Sequence, residues 1–128
     1  MTLEFDGRIP IYIQIMDKIK LDIVTGKLKG GEKLTSVREM AENFKVNPNT
    51  IQRVYQELER EGITYTQRGT GTFITEDKNI INSLKVEMSM NVIKTFIDGM
   101  TNLGFTSEEI IKAVNDYFKG GKANGNNI

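Results

Sequence analysis

Asn49, Gln52, Arg53 and Gln56 recur at intervals of three and four residues, so on a helix they form one continuous row of side chains. An amide offers a donor and an acceptor side by side, and a guanidinium offers a planar fork of donors. Asn and Gln match the N6/N7 edge of adenine and Arg matches O6/N7 of guanine, so the row suits base edges lining a major groove. The same residue types are ordinary on a solvated helix face, and for the row taken alone that reading stands beside the first. Arg68-Gly69-Thr70-Gly71 follows the row. There glycine would let the backbone approach a phosphate or a minor-groove floor, and Arg68 would bring the positive charge. Paired glycines more often merely turn a chain, so the segment gains meaning only from its position after the row.

The flanking residues predict the elements that would hold these groups. Ser36-Val37-Arg38-Glu39 predicts a helix start, with Ser36 capping and Glu39 reaching back as in a capping box, and Val37, Met40, Ala41 and Phe44 forming its apolar face. Asn47 as N-cap and Pro48 at the first helical position predict a second helix. Its Ile51, Val54, Tyr55 and Leu58 make an apolar stripe opposite the polar row. Two capped helices separated by Lys45-Val46 are a helix–turn–helix. Gly62 closes the second one, and Ile63 to Ile74 alternate as two short strands of a hairpin around Arg68 to Gly71. The hairpin has the character of a wing.

The chain resembles the winged-helix domain of the GntR superfamily of bacterial transcriptional regulators. The resemblance rests on Pro10 to Ile15, Gly26-Lys27-Leu28, Leu34 to Ala41, Val46 to Glu59 and Arg68 to Phe73, in the family's order and spacing across roughly residues 9–75. It implies that Ser36, Arg38, Asn49, Thr50, Gln52, Arg53, Arg68 and Gly69 contact DNA, with Ser36 and Arg38 at phosphates or an adjacent base. Asn49, Thr50, Gln52 and Arg53 would lie in the major groove, and the wing tip in the minor groove. The family usually has Pro where this chain has Gly30 and Thr35. That departure is expected to loosen the loop before the first helix of the motif.

Composition narrows the remaining classes. The chain of 128 residues contains neither Cys nor His, which excludes a disulfide framework, a thiolate nucleophile, a His/Cys zinc site and a histidine acid–base role. No activated nucleophile can be placed, so an enzyme is not expected, and no cofactor is implied. Met1 to Asp6 lacks the pattern of a signal peptide and no run is long enough to span a membrane, so a soluble cytoplasmic protein is expected. Formal charge balances at 17 basic and 17 acidic residues, with 11 against 10 in the first 75. Global charge therefore does not draw the chain to a duplex. Binding would depend on specific contacts, on a local grouping of Arg38, Lys45, Arg53 and Arg68, and on dimerisation.

An N-terminal helix opened by Pro10 and ended near Gly26 has Tyr12, Ile15, Met16, Ile19 and Ile23 as its packing stripe, with Met1 to Gly7 as a loose arm. Tyr12 reads as core rather than as a contact. A short strand is expected near Glu32 to Leu34. Beyond Glu76, Asp77 can cap a helix reaching about Asn102, and Thr106 to Glu109 is a capping box for a last helix to about Phe118. Two apolar rows lie side by side on the longer helix: Ile81, Leu84, Met88, Val92 and Phe96 beside Val86, Met90, Ile93, Ile97 and Met100. Ile110, Ile111, Val114 and Phe118 can cover only part of that band. The rest, including Leu84, Met88, Val92, Ile93, Phe96, Ile97 and Met100, is expected to meet a second copy of the chain. A small-molecule effector pocket around the methionines is the weaker alternative. So short an appendage is similar to the YtrA-like branch of the family, whose tail is chiefly a dimerisation unit.

The expected fold class is mainly α with a small β-wing: a winged helix-turn-helix domain over residues 1–75, a two-helix dimerisation appendage over 76–119 and a disordered tail over 120–128. The expected partner is double-stranded DNA, bound as a palindromic operator by a homodimeric repressor. The competing class is a winged-helix module that binds protein through the same polar row.

Overall fold

The caps dictate where the helices begin. The computed structural model describes residues 4–121. In it α1 (Ile11–Val24), α2 (Val37–Phe44) and α3 (Pro48–Arg60) precede an antiparallel hairpin of β1 (Thr64–Gln67) and β2 (Gly71–Ile74). Then come α4 (Lys78–Asn102), α5 (Ser107–Asp116) and a π-helical turn, Tyr117–Gly121. Ser36 Oγ accepts the Glu39 amide at 3.1 Å and Asn47 Oδ1 accepts the Asn49 amide at 2.7 Å, so each helix of the helix–turn–helix starts on the expected residue. The return bond from Glu39 to Ser36 is not formed, whereas at α5 Thr106 and Glu109 exchange both bonds. Between α2 and α3, Lys45 takes a left-handed conformation (φ 58°), and Val46 N–H reaches back to Ala41 O at 3.0 Å. That is a Schellman turn at a position glycine usually fills.

The chain divides into two compact units, one ending at Val86 and the other beginning at Glu87. The first has a core built from the predicted stripes: Ile15 and Ile19 of α1, Met40 and Phe44 of α2, and Ile51, Val54 and Leu58 of α3, closed by Ile74 of the wing. Burial of each such side chain is worth ~1.5–3 kcal/mol, which holds α3 by its apolar face and leaves the opposite face to solvent. The division falls inside α4. Ile80 stands 3.8 Å from where a Cβ on Gly62 would be, and Leu84 is buried, so the first turns of α4 belong with the winged-helix body.

The wing pairs Thr64 with Ile74 and Gln67 with Gly71, and Tyr65 stacks on Phe73 at 5.7 Å. Gly69 (φ 78°) supplies the positive φ of the turn at the tip, where Thr70 N–H bonds Gln67 O at 2.9 Å. The short strand expected near Glu32 to Leu34 is a single bridge from Lys33 to Phe73, supported by Leu34 N–H to Thr72 O at 2.8 Å and Ile74 N–H to Glu32 O at 2.9 Å. The loop carrying Gly30 and Thr35 is not loosened. Tyr55 Oη donates to Thr35 O at 2.6 Å, and a Cβ on Gly30 would come within 3.0 Å of Thr75 O, so the backbone packs where a ring or side chain would intrude. Nor is the whole N-terminal arm loose. The Gln14 amide accepts from Asp6 N–H at 2.8 Å and donates to Asp6 O and Ile9 O at 2.7 and 2.8 Å.

In the second unit Ile110 is buried, while Ile111 and Phe118 are 62% and 70% exposed, so α5 covers less of the apolar band than its sequence offered. An apolar groove of about 340 Å³ remains, lined by Phe96, Met100, Ala113, Val114, Tyr117 and Phe118. The expected disordered tail lies outside the described residues from position 122 onward. Among the described residues no helix is long and apolar enough to cross a membrane.

Candidate nucleic-acid interface

Asn49, Gln52, Arg53 and Gln56 are all exposed on α3, while Ile51, Val54, Tyr55 and Leu58 are buried beneath them. Thr50 is half-buried, its amide bonded to Asn47 O at 2.9 Å. The row is therefore presented by a helix clamped along its other side. None of its amide or guanidinium groups hydrogen-bonds another described residue, so their donors and acceptors are open to an incoming partner. Arg53 alone has a side-chain contact of note. Its Cζ lies 3.7 Å from the centroid of the Tyr12 ring, so the Tyr12 side chain is part of this surface as well as of the packing between α1 and α3. The helical stripe gave Tyr12 to the core and could not show that its ring would meet Arg53 at the surface.

The acidic end of α3 is compensated within the protein. Glu57 pairs with Arg60, whose hydrogen bond holds the Glu57 carboxyl below the usual carboxylate range. Glu59 accepts the Thr66 hydroxyl of the wing at 2.7 Å, and Glu61 meets Lys20 of α1 at 3.0 Å. The last two contacts tie α3 to the wing and to α1, and all three engage carboxylates that would otherwise repel a polyanion.

Ser36 and Arg38 are exposed at the start of α2, and the Ser36 hydroxyl keeps its own proton to donate while it accepts the Glu39 amide. A groove of about 560 Å³ runs from this helix start to the turn end of the wing, with Lys33, Ser36, Tyr55, Thr70 and Thr72 among its lining residues. Gly71 (φ 140°) holds a backbone conformation that favours glycine, and a Cβ there would stand 2.6 Å from Lys33 Cε, so the end of the Lys33 side chain would have to move aside. Sequence reading did not single out Lys33, which sat in a connector without periodicity. Arg68 and Gly69 are exposed at the wing tip. All eight expected contact residues thus lie in the first unit on α2, α3 and the wing. Among the described residues no group of Asp or Glu is placed to hold a metal ion.

The family model described as "Bacterial regulatory proteins, gntR family" matches residues 11–74, from the start of α1 to the end of the wing. The chain belongs to the gntR family. Outside that span, the likeness to short members of the family continues into the helical appendage. The chain is 41% identical over 119 residues to the HTH-type transcriptional repressor YtrA of Bacillus subtilis (strain 168), covering 90% of this chain and 92% of that one. The structure of a GntR family transcriptional regulator from Listeria monocytogenes superposes with a TM-score of 0.79 at 48% identity, covering 87% of this chain and 97% of that one. The DNA-binding domain of AraR in complex with operator ORX1 matches 59% of this chain and 95% of its own, at 26% identity and a TM-score of 0.53. This gntR-family chain matches YtrA-like regulators along both the winged helix and the helical appendage.

The residues expected at a subunit interface divide by burial. Met88 and Met100 are half-buried and Val92, Ile93, Phe96 and Ile97 are exposed, with Val92 at 69%. Leu84 differs. It is only 4% exposed within the single chain, so little of its surface is left for a second copy. A helical pattern identifies an apolar face without saying which neighbour covers it.

Proposed function

We propose that the chain is a homodimeric, sequence-specific DNA-binding repressor that binds a palindromic operator. The observation that carries this reading is the exposed row of Asn49, Gln52, Arg53 and Gln56 on a helix whose opposite face is wholly buried. Asn49, Thr50, Gln52 and Arg53 read base edges in the major groove. Ser36 and Arg38 hold phosphates at the start of α2, and Arg68 with Gly69 enters the minor groove from the wing. The AraR domain, solved on its operator, shares this fold at 26% identity and supports carrying DNA binding to this surface. YtrA, at 41% identity, supports repression as the sign of control.

Dimerisation supplies the second reader. Val92, Ile93, Phe96 and Ile97 present adjacent apolar side chains to solvent in the second unit, beside the groove that Phe96 and Met100 share with α5. A second copy of the same face covers this surface in an isologous contact. Two readers then meet half-sites spaced by whole helical turns of about 34 Å. Fluorescence anisotropy with the full chain tests the reading: a duplex carrying a selected inverted repeat should bind at least an order of magnitude more tightly than random duplex. Equal affinity for both duplexes would assign the polar row to a protein partner instead.

A further inference from the structure

We infer that Tyr12 is a positioning residue for base reading, its ring holding the Arg53 guanidinium flat so that the planar N–H edge is presented to a guanine. The inference rests on α3 being the recognition helix. At 3.7 Å from the ring centroid, Arg53 Cζ is well inside the roughly 6 Å reach of a cation–π contact and at stacking distance. The N–H donors of a guanidinium lie in its plane, so stacking occupies the face and leaves the donor edge open. An ion pair would do the opposite, engaging the very donors that recognise guanine O6 and N7. Arg53 makes no ion pair within 4.0 Å of another described residue; Glu57, one turn further along α3, is hydrogen-bonded by Arg60 and feels Arg53 only as a weaker Coulombic neighbour, which leaves the guanidinium donors unbonded.

The platform itself is fixed at both ends. Tyr12 sits in the first turn of α1, just after the Asp6 to Ile9 turn that Gln14 clamps with hydrogen bonds of 2.7 to 2.8 Å. Further along, Ile15 and Ile19 are fully buried, and Lys20 pairs with Glu61 at the far end of α3 at 3.0 Å. The ring therefore keeps its place relative to α3 before any ligand arrives. A long side chain already held in its reading geometry loses less freedom on binding, and the gain appears as discrimination rather than as general affinity. The Tyr12 hydroxyl makes no hydrogen bond to another described residue, so the ring and not the phenol is the working part.

The test uses the full chain, the inverted-repeat duplex and a duplex altered at the base pair whose identity ceases to matter in Arg53→Ala. Tyr12→Leu should lower discrimination between these duplexes about two- to five-fold, the worth of an exposed cation–π contact, while Tyr12→Phe keeps it. In the Arg53→Ala background Tyr12→Leu should change nothing further. Equal loss on both duplexes, or a loss that persists without Arg53, would overturn the inference and leave Tyr12 as packing or as a contact of its own. A second measurement needs no Tyr12 variant. In the wild-type protein, NMR should place the Arg53 side-chain protons upfield through the ring current, and random-coil shifts would overturn the inference. If wild type fails to separate repeat from random duplex, the recognition-helix reading falls and this inference with it. If wild type succeeds and only the Tyr12 results fail, the inference alone is lost.

Discussion

Tyr55 shows how a residue on the buried side of the reading helix supports the exposed side. Its phenol donates to Thr35 O at 2.6 Å, pinning the loop that leads into α2, and burial pushes its pKa well above the ordinary 10.0. A group whose pKa is raised on folding stabilises the fold below its unfolded pKa and loses that contribution as pH rises toward the folded value. Stability should therefore fall above about pH 10, with a slope from this group of up to ~1.4 kcal/mol per pH unit. Tyr55→Phe should cost about 1 kcal/mol at pH 7 and flatten the alkaline limb by one proton, both read by urea denaturation across the range. An unchanged limb would place the titration elsewhere. On the exposed side, Gln52→Ala should cost on the order of 1–3 kcal/mol on the inverted repeat and little on random duplex. Arg38→Ala should weaken both and reduce the slope of log K against log salt by roughly one unit. A salt slope left intact would make Arg38 a base reader.

The helix–turn–helix and the wing carry their own balance of strain and function. Lys45 holds a left-handed backbone (φ 58°) at the turn between α2 and α3, where glycine would be unstrained. Lys45→Gly should raise stability by ~0.5–1 kcal/mol, net of its greater unfolded-state freedom, while lowering affinity for all duplexes alike through the lost cation. Thermal denaturation and anisotropy on one preparation read both, and a loss of stability would show that the Lys45 side chain holds the turn. Elements of this kind were legible because their signals are local. Ser36, Asn47 with Pro48, and the Thr106–Glu109 box announce helices by chemistry within one turn, and the stripe of Ile51, Val54, Tyr55 and Leu58 fixes which side of α3 faces out. What was not legible depends on partners distant in sequence. Leu84 and Phe96 share one apolar row, yet one is buried at 4% and the other 42% exposed, because α4 crosses from one unit into the next. Arg53 on Tyr12, Lys33 over Gly71 and the hydroxyl of Tyr55 on Thr35 are tertiary pairings that no periodicity encodes.

At the scale of the whole molecule, a chain with 17 basic and 17 acidic residues must derive its hold on a polyanion from arrangement. The ion pairs of Glu57 and Glu61 and the hydrogen bond of Glu59 engage the carboxylates of α3 locally, while Arg38, Arg53 and Arg68 stay exposed. Duplication through the proposed dimer then doubles every specific contact. Phe96→Glu should convert a dimer to a monomer in sedimentation equilibrium, since it places a charge in the apolar face that a second copy covers. Leu84→Ala should instead cost ~2–5 kcal/mol of folding stability with the dimer retained, because that side chain is already buried within the single chain. The opposite pattern would move the interface toward the winged helix. In the proposed complex the polar row of α3 reads bases twice. The most direct measurement of that reading is selection of bound duplexes from a randomised pool by the wild-type chain and by Gln52→Ala side by side. Wild type should yield an inverted repeat and the variant the same repeat relaxed at one matching position in each half. An unstructured pool, a single unrepeated site or an identical motif from both proteins would contradict it.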